Sequence, residues 1–263
     1  MAYNLNVAAA AVNSIWADRD ANIEQLRKTV GNLPDSTDIL ILPELFSTGF
    51  ISDEDTMFEM AEPISGKTMT AIRQLAAEHN TAIAGSFLCL VAGNITNRAF
   101  FIEPSGEESY YDKRHLFCGS PEARSFHKGL KMPESIRFRG WNISLAICYD
   151  IRFPVWCRNN DSNRYDLLIV PANWPESRAY AWEHLLIARA IENQAYVIGA
   201  NRSGKDDYGT YSNLSFIFDP LGKPIAEQTA PDIITATLSK DTLSNIRTRM
   251  PVFNDADTFS ILP

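Results

Sequence analysis

Two hydrophobic periods alternate along the whole chain. Short continuous apolar runs mark strands covered on both faces, and apolar residues three or four apart mark amphipathic helices. Residues 5–12 form the first run. Ile23, Leu26 and Val30 then predict a helix over 20–30, with Asp18 or Asp20 placed to cap it. Residues 38–42 (DILIL) predict a buried strand, stopped by Pro43 and followed directly by Glu44. Met69, Ile72, Leu75 and Ala76 share one face of a helix over 68–80, and 81–90 read as a strand. Residues 97–102 and 109–111 flank Pro104-Ser105-Gly106, while 136–138 and 141–147 flank Arg139-Gly140; both are hairpin signals.

Lys113 lies just past the first hairpin, and Cys148 ends the second, after Ile143, Leu145 and Ile147 alternate with Ser144 and Ala146. Pro154 is placed to open a helix, where its missing N–H costs little. Residues 166–171 (DLLIVP) repeat the pattern of an apolar run closed by proline. A mostly buried helix follows over 181–193, then a strand over 196–200. Strands at 214–219 and 233–238 surround Pro220-Leu221-Gly222, and a short helix fits 240–249. Residues 115–134 show no period and contain Gly119, Pro121, Gly129 and Pro133; a loop of this length in a compact domain points to function. No linker or low-complexity tract divides the chain. The expectation is one α/β domain over 1–263, built of layered sheet and helix.

Composition narrows the classes. The 263 residues are 45% hydrophobic and 21% charged, as in an ordinary globular chain. A net charge of −8 offers no global field for nucleic acid or an anionic membrane. No run is long enough for a membrane span, and the first residues lack the features of a signal peptide. The four cysteines are scattered without a CxxC, so free thiols in a reducing cytoplasm are expected. None of the four histidines is paired at ligand spacing, so neither a metal nor another cofactor is implied.

Glu44, Lys113 and Cys148 share one context: each falls just beyond a predicted strand end, where open α/β sheets build their sites. The trio has a specific use. Glu44 would take the thiol proton, and the Lys113 ammonium, with the free N–H groups after the strand, would favour a Cys148 thiolate and face a tetrahedral oxyanion. The same carboxyl would then protonate a leaving amine and activate water against the thioester.

The segments LPELFSTGF at 42–50, YDKRHLF at 111–117 and CYDIRFP at 148–154 closely resemble the three signature regions of the nitrilase superfamily of carbon–nitrogen hydrolases, in the same order. PANWP at 171–175, ARAIENQAYVIGANRSG at 188–204 and DPLGKPIAE at 219–227 extend the resemblance over nearly the whole chain. It implies a four-layer α-β-β-α sandwich, a homodimer or higher homo-oligomer, Glu44 as general base, Lys113 as catalytic lysine and Cys148 as nucleophile. It further implies a second glutamate after the lysine, best matched by Glu122 with Glu134 as competitor. Lys113 and the Tyr149 N–H match the oxyanion hole.

Within the family the chain looks most like the omega-amidase branch, bacterial type, whose members hydrolyse the side-chain amide of 2-oxoglutaramate or 2-oxosuccinamate. Another amidase of the family is the alternative, acting on an N-carbamoyl amide, an aliphatic amide or a nitrile. An omega-amide carries a distal carboxylate, which an arginine fork suits. Arg178 and Arg202 are candidates, and Arg152 is expected to pair structurally with a buried acid. Phe117 and Trp174 are candidate apolar walls. Two further readings are a Cys–His hydrolase using His115 or His184, and a non-enzymatic scaffold.

Overall fold

The computed structural model describes residues 4–159 and 164–261. The first half of the chain contains β1 (Leu5–Ala10), α1 (Arg19–Gly31), β2 (Ile39–Ile41), α2 (Glu54–Met60), α3 (Lys67–His79), β3 (Ala82–Val91), β4 (Asn94–Ile102), β5 (Glu108–Asp112) and α4 (Glu122–Ser125). The second half contains β6 (Ile136–Phe138), β7 (Trp141–Leu145), β8 (Leu167–Ala172), α5 (Ala179–Asn193), β9 (Tyr196–Asn201), β10 (Ser203–Asp206), β11 (Gly209–Ser212), β12 (Phe216–Phe218), β13 (Glu227–Ala230), β14 (Ile233–Leu238) and α6 (Lys240–Arg249).

Two sheets organise these elements. One has seven strands in the order β13-β14-β1-β2-β3-β4-β5, and the other has five in the order β12-β9-β8-β7-β6. β1, β2 and β3 run parallel at the centre of the first, as do β7, β8 and β9 in the second. The two-residue side-chain period of a strand divides the first sheet between two cores. Leu40 and Leu42 pack with Leu26 and Val30 of α1 and with Met69 and Ile72 of α3. Ile39 and Ile41 point the other way, into the cluster of Trp141, Ile143 and Leu145 from the second sheet. That cluster continues through the second sheet to Trp182, Leu186 and Ala190 of α5. Helix, sheet, sheet and helix stack in turn, giving the four-layer α-β-β-α sandwich. Each fully buried Leu, Ile or Phe contributes about 1.5–3 kcal/mol, so this layered burial outweighs any exposed ion pair. Among the described residues, no helix is long and apolar enough to cross a membrane.

Helix ends follow local chemistry. Of the two acids placed to cap α1, Asp18 does so, accepting from the Ala21 N–H at 3.0 Å. α6 occupies Lys240–Arg249, with the Ser239 hydroxyl as its cap.

Three expectations need correction. Pro171 does not close its run but sits inside β8, opposite Ala200. β7 stops pairing with β8 at Ile169, so one side of the strand is free there and the missing N–H of Pro171 costs nothing. The strands flanking residues 220–222 are not partners: β12 joins β9 in one sheet and β14 joins β1 in the other. β13 intervenes and supplies the partner of β14. Finally, no α-helix opens at Pro154. A 3-10 turn spans Cys148–Arg152, and the Arg189 guanidinium from α5 takes the Ile151 carbonyl at 2.7 and 3.0 Å, ending the turn there. α2 and the β10–β11 hairpin carry no clear period in the sequence, so the hydrophobic pattern does not mark them.

Candidate active site

Four elements deliver the polar groups. The chain leaves β2 through Pro43, and the following turn holds Glu44 at 4% exposure. Ser86 of β3 secures that turn, its hydroxyl accepting from the Leu45 N–H at 2.9 Å. Lys113 continues β5, its N–H donating to the Asn97 carbonyl of β4 at 2.9 Å. The long loop returns to the same residue, with Gly129 N–H donating to the Lys113 carbonyl at 2.8 Å. A Cβ on Gly129 would stand 2.1 Å from the Asp112 carbonyl oxygen, so this return requires glycine. α4, inside that loop, carries Glu122. Cys148 begins the 3-10 turn after β7 with a positive φ of 42°, a conformation costly for a residue with a side chain.

The structure brings these residues together. Lys113 Nζ donates to Glu44 Oε1 and to Glu122 Oε1, each at 2.7 Å. The remaining carboxylate oxygens are also engaged: Glu44 Oε2 accepts from the Asn173 N–H at 2.9 Å, and Glu122 Oε2 from the Phe117 N–H at 2.8 Å. Asn97 Nδ2 adds a second donor to Glu44 Oε1 at 2.7 Å. Glu44, Lys113, Glu122 and Cys148 line one cavity of about 200 Å³, room for a small molecule. Glu134, the competitor of Glu122, is exposed and does not line it.

Electrostatics in this dry cluster depart from the sequence-based expectation. Burial alone would drive the Lys113 ammonium toward neutrality, but Glu122 and Glu44 outweigh it and hold the group well above its usual value. Burial raises the Glu122 carboxyl above 4.5, with Lys113 opposing. The Cys148 thiol is not held down as a thiolate. Burial, reinforced by the Glu44 carboxylate, pushes it well above 9.0, and the opposing pull of Lys113 and of the Asn173 backbone is smaller. The resting sulfur is therefore protonated beside a carboxylate, which suits proton transfer at the moment of attack.

The other candidates separate cleanly. Phe117, Trp174 and Arg178 line the cavity, as does Tyr149. Arg178 is exposed, with its guanidinium 5.1 Å from the Phe117 ring centre. Arg202 does not line the cavity: it is 2% exposed and bonds Asp206 at 2.8 Å, because the chain folds straight back into the β10–β11 hairpin. Arg152 also departs from expectation. It is exposed, lines the cavity, and lies 4.8 Å from the Trp174 ring centre rather than against a buried acid. The neighbouring buried acid, Asp150, is occupied by Tyr111 and His115. His115 does not line the cavity, and His184 is exposed on α5 against Tyr180.

Asn97 and Asn173 are not among the candidates read from the sequence: Asn97 is an isolated polar residue at a predicted strand start, and Asn173 lies within PANWP without a role of its own assigned there. Asn173 lines the cavity, and both its side-chain polar atoms are buried without a hydrogen-bond partner among the described residues. No group of His, Cys, Asp and Glu that could hold a metal ion occurs among the described residues.

The chain is 39% identical to an omega-amidase YafV of Yersinia enterocolitica, over 94% of this chain and 95% of that protein. It is 32% identical to a 2-oxoglutaramate amidase of Bacillus subtilis, over 83% of this chain and 84% of that protein. Its fold superimposes with a TM-score of 0.91 on XC1258 of Xanthomonas campestris, a CN-hydrolase superfamily protein with an arsenic adduct in its active site, at 34% identity and covering 98% of this chain and 99% of that one. A family model described as carbon-nitrogen hydrolase matches residues 6–248, and the chain belongs to that family.

Proposed function

We propose that this protein is an omega-amidase, hydrolysing the side-chain amide of 2-oxoglutaramate or 2-oxosuccinamate to a 2-oxo diacid and ammonia. The observation that carries the reading is the pair of cations left over at the cavity. Lys113 is consumed by two carboxylates, whereas Arg152 and Arg178 line the same cavity with no acid against them among the described residues. A substrate bearing a carboxylate remote from its amide uses both ends of such a site. The identity with relatives named for this activity supports the same reading.

The chemistry follows from the contacts. Cys148 Sγ attacks the amide carbon as its proton passes to Glu44. The oxyanion forms beside the Lys113 ammonium and the Tyr149 N–H, which lies in the first turn of a helix where N–H groups lack an intrahelical acceptor. Glu44 then protonates the leaving nitrogen, the C–N bond breaks, and ammonia departs from a thioester. A water, losing its proton to Glu44, attacks the thioester; the C–S bond breaks, and the proton on Glu44 returns to sulfur. Glu122 holds Lys113 in place through both halves. The test is ammonia release from 2-oxoglutaramate, set against an aliphatic amide, an N-carbamoyl amino acid and a nitrile. Preference for an uncharged amide or a nitrile overturns the omega-amidase reading.

A further inference from the structure

Asp150 follows the sulfur by two residues, does not line the cavity, and is fully buried. It is also the junction of two segments remote in sequence. Its Oδ2 accepts from the Ile147 N–H at 3.0 Å, and its own N–H donates to the Ile147 carbonyl at 2.9 Å. These two bonds close the turn around Cys148, whose positive φ is otherwise unfavourable. The same carboxylate reaches across to the segment that carries Lys113. Oδ2 accepts from the Tyr111 hydroxyl at 2.8 Å, and Oδ1 accepts from the His115 N–H at 2.9 Å and from its ring Nδ1 at 2.8 Å. Tyr111 and His115 stand on either side of Lys113 in the chain.

The surroundings hold this junction in one state. Burial, followed by the Asp150 charge, raises the Tyr111 hydroxyl well above its ordinary value, so it remains a donor. The Tyr111 oxygen in turn accepts from Trp156 Nε1 at 2.9 Å and from the Arg114 N–H at 3.2 Å. The His115 ring stacks on Phe153 with centres 3.8 Å apart. A carboxylate with four donors on it exceeds what is needed to end a short turn.

We propose that Asp150 is a positioning residue that locks the sulfur-bearing turn to the lysine-bearing segment and so sets the distance between nucleophile and oxyanion site. The inference rests on Cys148 being the nucleophile. Asp150→Asn preserves shape but turns one acceptor into a donor facing a donor. Binding groups at the cavity are untouched, so kcat falls about 100-fold while KM stays within about twofold. Alkylation by iodoacetamide, mapped to Cys148 by mass spectrometry so that exposed Cys118 does not interfere, also slows about tenfold. A merely structural role would lower the melting temperature and leave both rates intact in folded protein. Where Asp150→Asn fails to fold, Tyr111→Phe decides: it removes one of the four donors, and kcat falls roughly tenfold at unchanged KM. Retention of kcat within about twofold by the folded variant overturns the proposal. Activity surviving in Cys148→Ala would instead overturn the underlying mechanism.

Discussion

Glu44 and Lys113, 69 residues apart in the chain, meet at 2.7 Å with both side chains almost wholly removed from solvent. Neither would hold its charge there alone, because an isolated ion in so dry a setting is displaced toward its neutral form. The ammonium is shared with Glu122 at the same distance, so the three groups form one hydrogen-bonded unit. This unit both protects the charges and keeps a carboxylate next to the Cys148 thiol.

Removing the ammonium leaves two carboxylates buried against each other. Lys113→Met is expected to cost about 3–5 kcal/mol in urea denaturation, as when one partner of a buried pair is deleted. Adding Glu122→Gln relieves part of the repulsion, so the double variant should be more stable than the single one. Equal stability of the two would mean that Glu122 is not charged in the folded protein.

The state of the sulfur gives a pH prediction. Burial and the Glu44 charge disfavour the anion, raising the thiol above 9.0, so deprotonation requires a more alkaline solution than for a free cysteine. Iodoacetamide alkylation of Cys148 should keep rising through pH 9.0 without a plateau below it. A plateau near neutrality would identify a resting thiolate.

Stability should also decline at high pH. Cys89 and Cys157 are pushed up by burial, to about 11 and about 12, whereas the unfolded thiols ionise near 9.0. Above 9.0 the unfolded chain loses protons that the folded chain retains, which favours unfolding as pH rises toward those values. Cys157→Ala should show a shallower fall of melting temperature between pH 9.0 and about 12 than the unmodified protein. Parallel curves would contradict this.

Arg152 and Arg178 should separate charged from neutral substrates. Replacing either with Ala is expected to raise KM for 2-oxoglutaramate about tenfold, the worth of a charge-assisted hydrogen bond. Hydrolysis of a neutral amide of similar length should change little. A parallel loss on both substrates would place the arginines in maintaining the cavity rather than reading a carboxylate.

The layer holding α5 can be probed away from the site. A Cβ on Gly199 of β9 would meet Leu186 Cδ1 at 2.4 Å and Trp182 Cζ2 at 2.6 Å. Gly199→Ala should therefore cost about 1–3 kcal/mol by overpacking and lower the melting temperature by several degrees. An unchanged melting temperature would show that α5 shifts freely on the sheet.

The sequence alone determined which apolar faces would be buried, where most strands and helices run, and that an acid, an amine and a thiol each follow a strand end. Those properties are local: the period of apolar positions reports which face leaves water, and motifs such as CYDIRFP lie within one turn of chain. It also carried the family resemblance, through three short segments in order. Partnership was left to the tertiary structure. Arg202 is turned from the cavity by the β10–β11 hairpin and Arg152 is set over Trp174 by the turn after Cys148, and hydrophobic period encodes neither. The state of the Cys148 thiol depends on dehydration and on distances to Glu44 and Lys113, groups that approach only when two sheets stack. Asp150 looks like one more polar residue in a turn until packing sets Tyr111 and His115 against it. Electrostatic and hydrogen-bond energies vary with separation and solvent exposure, and both are properties of the folded chain.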